Sequence, residues 1–108
     1  MTDKPMATAE DVVRRAAELV GGERAVQHGD KLENFAKIAR LWTAYMANAG
    51  LINTDLSASQ AADMMELLKV ARRQSGGFNV DDYIDGAGYA GVAFEIRRRE
   101  IAANFVLA

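Results

Sequence analysis

The stretch DKLENFAKIARLWTAYMANAG, residues 30–50, settles the fold class. Its apolar residues Leu32, Phe35, Ile38, Ala39, Trp42, Tyr45 and Met46 recur at threes and fours. That spacing lines one side of an α-helix and would scatter over both faces of a strand. Asp30 is placed to cap the first turn, with Glu33 at the reciprocal capping-box position, and Gly50 supplies a residue on which a helix can stop.

The same grammar repeats on both sides. Upstream, Thr8 followed by Asp11 opens a helix through Val12, Val13, Ala16, Ala17, Leu19 and Val20 that halts at Gly21-Gly22. A polar leader, residues 1–7 with the single Pro5, precedes it, and the polar connector ERAVQHGD (23–30) follows. Downstream, LINTDL (51–56) reads as a loop with apolar anchors. Ser57 with Gln60 then opens a third helix through Ala61, Met64, Met65, Leu67, Leu68 and Ala71, which ends at Gly76-Gly77. Asn79, three residues before Asp82, starts a last helix reaching Ile101 or beyond. Nothing alternates with period two for long enough to make a strand. The expected architecture is one all-α domain over residues 8–108, an antiparallel bundle of about four helices. Self-association is expected too, because the Gly and Ala surface of the last helix, with Trp42, Tyr45 and the Met pair, exceeds what four short helices bury alone.

Composition bounds the partners. A chain of 108 residues, half hydrophobic and 26% charged, has the size and balance of a single globular domain. The formal charge of −2 removes the overall electrostatic drive toward nucleic acid. There is no Cys, hence no disulfide, no thiolate metal site and no cysteine nucleophile. The first residues lack the apolar core of a signal peptide, and no run approaches transmembrane length, so a cytoplasmic protein without membrane contact is expected.

The segment that reads as a site is KVARRQSGGFNVDDYIDGAGYAGVAFEI, residues 69–96. Asp82, Asp85 and Tyr89 stand three and four apart and share a helix face, with Asp81 beside them. The helix dipole accounts for Asp81 and Asp82. Asp85 lies deeper, and a pair of carboxylates one turn apart can hold Mg²⁺. Gly86, Gly88 and Gly91, with Ala87 and Ala90, bare the helix surface for a close neighbour, whether a packed helix or a ligand. The short Gly76-Gly77 connection should fold Lys69 and Arg72 back toward Asp82 and Asp85. The result is either an ion-pair network or a site suited to a phosphate-bearing ligand. Asn34, one turn into the second helix, faces solvent or that ligand. His28 is the lone histidine and reads as a loop residue, which leaves no histidine-based metal cluster. The run Arg97-Arg98-Arg99-Glu100 reads as a solvated helix face.

The combination HGDKLENFAKIARLW (28–42), MMELLKVAR (64–72) and DDYIDGAGYA (81–90) resembles an uncharacterised family of small phage and prophage proteins, over about residues 24–95. The resemblance implies an origin in a phage or an integrated element and no established activity. More distantly, the chain is similar to the all-α nucleoside triphosphate pyrophosphohydrolases of the MazG type, which hold Mg²⁺ between two acidic pairs. Asp82 and Asp85 match the second pair, while the first is missing in recognisable form, with only Glu33, Asp63 and Glu66 nearby in sequence.

Three readings follow. The first is a non-catalytic, cofactor-free binder of a nucleotide or nucleotide-derived signal, acting by sequestration in counter-defence. In it Lys69 and Arg72 contact phosphate, Asp82 supports the site, Asp85, Tyr89 and Asn34 orient base, ribose or water, and Gly88 permits close approach. The second is a Mg²⁺-dependent pyrophosphohydrolase with Asp82 and Asp85 as metal ligands and Glu33 or Glu66 completing the set. The third is a protein-interaction inhibitor with no small-molecule site.

Overall fold

The computed structural model describes residues 6–22 and 29–107, and each described helix begins where the sequence writes a cap. Helix α1 is Ala9–Gly21, α2 is Lys31–Asn48, α3 is Ala58–Arg73 and α4 is Val80–Leu107. Thr8 and Asp11 form a complete capping box, as do Ser57 and Gln60. At Asp30 only half of the expected box is made. The carboxylate accepts from the Glu33 N–H at 2.8 Å, while the Glu33 side chain lies 4.0 Å from Lys37 Nζ instead. Asn79 Oδ1 accepts from the Asp81 N–H at 3.0 Å and so caps α4.

Helix α2 stops by a Schellman turn. Gly50, at φ 75°, lets the Gly50 and Leu51 N–H groups reach back to the Ala47 and Met46 carbonyls at 3.0 and 2.9 Å. A side chain here would be strained, because φ near +75° brings Cβ against the following carbonyl. Among the described residues there is no strand.

Helix α4 is the pivot. It packs along α3 and along α1, α3 also packs on α2, and α2 meets α4 in a short crossing. The core gathers Phe35 and Ala39 of α2, Ala58, Ala61 and Ala62 of α3, and Val92, Ala93 and Ile96 of α4. So many alanines mean that backbones approach closely, and each large residue carries much of the energy. Ile96 is fully buried, a burial that contributes about 2–3 kcal/mol. Ser59 meets Glu100, Lys69 meets Asp85 and Arg72 meets Asp82, so partners run in opposite order along α3 and α4.

The apolar periodicity overstates burial at several positions, Val13 and Leu68 among them. Tyr45, in the α2 stripe, is 74% exposed, and Leu67 of α3 is 65% exposed. Met65 packs on the core while its neighbour Met64 does not. The arginine run is also more than a solvated face. Arg99 Nη1 donates to Asp30 at 2.7 Å, and Glu100 accepts from the Ser59 hydroxyl at 2.6 Å and from its N–H at 3.3 Å. These two contacts tie the far half of α4 to the starts of α2 and α3.

Candidate functional site

Helices α1 and α2 both lean on α4 without packing against each other. The gap between them is a cavity of about 220 Å³. Ala16, Leu19 and Val20 of α1 form one wall, and Lys31, Asn34, Phe35 and Ile38 of α2 the other. Met65 of α3 and Ile84, Asp85, Gly88, Tyr89 and Val92 of α4 close the floor. Each set follows helical spacing, so each wall is one helix flank.

Four of the seven residues singled out in the sequence meet here: Asn34, Asp85, Gly88 and Tyr89. The other three do not line the wall. Lys69 stands behind Asp85, its Nζ 3.1 Å from Oδ2, with both side chains largely buried. Arg72 Nε donates to Asp82 Oδ1 at 3.1 Å, and Asp82 is only 4% exposed. The two cations expected to meet phosphate are therefore engaged with the two carboxylates, the ion-pair alternative of the sequence. Phe35 meets the Tyr89 ring edge-on, with centroids 6.3 Å apart and planes at 86°, which joins the α2 wall to the α4 floor.

The bare stripe on α4 resolves into separate duties. A Cβ on Gly88 would lie 3.3 Å from Val20 Cγ1, so this glycine lets α1 come close. A Cβ on Gly86 would lie 2.6 Å from the Arg73 guanidinium and 3.7 Å from Lys69 Cβ, so this one serves α3. Gly91 has nothing within 4 Å. Packing thus accounts for two of the three glycines.

The sequence reading missed the contribution of α1 and the Lys31 side of α2. Lys31 lines the wall, with its Nζ 3.5 Å from Glu95. The signal was present in the spacing of Lys31, Asn34 and Ile38, which forms a second stripe beside the core stripe of α2. His28 and Pro5 lie outside the described residues. Among the described residues no group of three His, Cys, Asp or Glu side chains is placed to share a metal ion. Glu33 is exposed and beside Lys37, not beside Asp82 or Asp85.

Chemically the cavity is an apolar slot with a few placed polar groups, the usual make-up of a small-molecule site. The Asp85 carboxylate accepts hydrogen bonds, the Asn34 amide both donates and accepts, and the Tyr89 hydroxyl does either. Lys31 is the cation of the wall. The volume lies below the roughly 300–1,000 Å³ of pockets that enclose whole drug-sized ligands.

Comparison with known proteins places the chain beside phage sequences. A family model described as "Domain of unknown function (DUF6378)" matches residues 11–97. The Gene 55 protein of Mycobacterium phage L5 is 40% identical over 81 residues, covering 75% of this chain and 49% of that protein. The Gene 55 protein of Mycobacterium phage D29 is 35% identical over 83 residues, covering 77% of this chain and 51% of that protein. The chain thus spans about half the length of these relatives. No solved structure matches it. Among the described residues no helix is long and apolar enough to cross a membrane.

Proposed function

The chain belongs to the family described as Domain of unknown function (DUF6378), with phage proteins among its relatives, and from that premise we propose that it binds a nucleotide or nucleotide-derived small molecule without hydrolysing it. The observation that carries this reading is the convergence of Asn34, Asp85, Gly88 and Tyr89 on one apolar cavity. A flat heteroaromatic ring slides between the α1 and α2 walls against the Tyr89–Phe35 ring pair. Its N–H donors meet the Asp85 carboxylate, which Lys69 keeps in place, and its remaining edge meets the Asn34 amide. The phosphate lies at the cavity margin, where Lys31 exchanges its Glu95 partner for the ligand. In a phage setting such a protein removes a nucleotide signal of host defence from solution.

Hydrolysis draws less support. The pyrophosphohydrolase reading needs several carboxylates around one Mg²⁺. Here Asp82 and Asp85 face two different cations, and Asp82 lies outside the cavity wall. The antiparallel bundle of the sequence reading is the scaffold this proposal assumes.

The test is a calorimetric and thermal-shift panel of nucleosides, mononucleotides and cyclic nucleotides, with and without Mg²⁺, read beside product analysis. A ligand present at 100 times its Kd stabilises the fold by about 2.7 kcal/mol, an easily measured shift. Asn34→Ala should weaken the binding of a responding nucleotide about tenfold or more, the cost of one lost hydrogen bond at a charged or polar site, and leave Tm nearly unchanged. Turnover with Mg²⁺ would favour the enzyme. Silence across the panel would favour the interaction module, which the exposed Leu41, Leu67 and Phe94 would serve.

A further inference from the structure

The outer face of α4 carries Tyr83, Ala87, Ala90, Phe94, Arg97 and Ile101, spaced four, three, four, three and four. This is the seam spacing of a two-helix coiled coil. The middle of the seam is open, with Phe94 68% exposed and Ala90 and Arg97 exposed, while Ala87 and Ile101 are half-buried and Tyr83, 38% exposed, carries the Arg73 guanidinium of α3 4.4 Å from its ring centre. Gly91 lies beside it at mid-length. This glycine sacrifices helix propensity, yet the space around its missing Cβ is empty, unlike that of Gly86 and Gly88. The feature is unexplained by packing within one chain.

We propose that this face is the interface of a homodimer, in which α4 of one copy crosses α4 of a second copy in the opposite direction near residue 92. The pattern is complementary to itself in that register. Phe94 of each copy fills the space over Ala90 of the other, Tyr83 faces Ile101, and the stem of Arg97 lies over Ala87. Gly91, next to the two-fold axis, lets the backbones approach. Charge selects the direction. Parallel helices would set Arg97, Arg98 and Arg99 of both copies side by side, whereas the reversed pair carries each arginine run toward the first turn of the other copy's α4, where Asp81 is exposed.

The absence of cysteine makes the test direct. Sedimentation equilibrium on the full chain should show a dimer at micromolar concentration. Phe94→Glu, at an exposed position that the monomer core does not use, should raise the dissociation constant at least tenfold with helical content unchanged. Under mild oxidation Gly91→Cys should cross-link readily, since the two positions stand about 3 Å apart along the axis. Arg98→Cys should not, its two copies being about 18 Å apart along the axis. A chain that stays monomeric up to roughly 100 μM, weaker than any stable dimer of this size, overturns the proposal. Equal cross-linking at both positions, or a dimer that Phe94→Glu leaves intact, overturns it as well.

Discussion

Replacing Arg72 by Ala separates the two readings of the α3–α4 ion pairs, and the geometry predicts which one prevails. The Asp82 carboxylate is 6% exposed at its side chain and holds Arg72 Nε at 3.1 Å, whereas the Arg72 side chain is 57% exposed. Removing the cation strands a buried anion. A fully buried pair broken this way costs about 3–5 kcal/mol, and a fully exposed pair under about 1 kcal/mol. This one is dry on the acid side and wet on the base side. The start of α4 also offers the carboxylate partial compensation from the helix dipole. A loss of about 2 kcal/mol follows, close to the value of a single charge-assisted hydrogen bond.

For a chain of this size that loss lowers Tm by roughly 10 °C. Urea unfolding should give the same free energy with an unchanged slope, because the surface exposed on unfolding is the same. Asp82→Asn alone should cost less, and in the Arg72→Ala background it should recover part of the loss by discharging the stranded carboxylate. Nucleotide affinity should move less than threefold at a temperature where the variant is folded, since Arg72 does not line the cavity. An Arg72→Ala protein with unchanged Tm and affinity reduced tenfold or more would refute this reasoning and return Arg72 to the binding site.

Gly88→Leu should undock α1, because even a Cβ at this position would lie 3.3 Å from Val20 Cγ1. Hydrogen exchange should then accelerate across α1 while α3 and α4 stay protected. Ser59→Ala removes the 2.6 Å hydroxyl bond to Glu100 and leaves the backbone one, so a loss of about 1 kcal/mol is expected by chemical denaturation. The Asp30 carboxyl is held below the ordinary 3.8, first by the Arg99 guanidinium and then by the Glu33 N–H. Its stabilisation is therefore complete above the unfolded value and disappears as pH falls through the depressed folded one. Carboxyl NMR titration should place its midpoint under 3.8, and Asp30→Asn should flatten the acid limb of the stability profile in that window.

The helices were legible because their ends are written locally. Thr8 with Asp11, Ser57 with Gln60, Asn79, and Gly50 at its positive φ act on neighbours within four residues, which a single sequence displays. The pairing of Lys69 and Arg72 with Asp85 and Asp82 was legible for a related reason, as the short turn leaves α3 and α4 one way to fold back. Burial was less so. Tyr45 stands at the edge of the α2 stripe and is 74% exposed, while Met46, one residue further along, is half-buried. Periodicity reports which residues share a flank and is silent on how wide a strip of that flank the neighbouring helices cover.

The cavity lay beyond that limit for a physical reason. It exists because two helices that are consecutive in sequence, α1 and α2, both rest on α4 while their backbones stay apart, a property of three axes and of no single segment. Sequence chemistry could still find its α4 floor, because a carboxylate and a glycine inside an apolar helix, Asp85 and Gly88, demand an explanation. It could not find the α1 wall, because Ala16, Leu19 and Val20 look the same whether they meet another side chain or an empty slot. Gly88 joins the two levels. Its missing Cβ admits Val20 and so sets how close α1 comes, and that distance in turn sets the width of the slot in front of Asp85. A substitution there should change binding through the spacing of the walls, without altering any group that touches the ligand's polar edge.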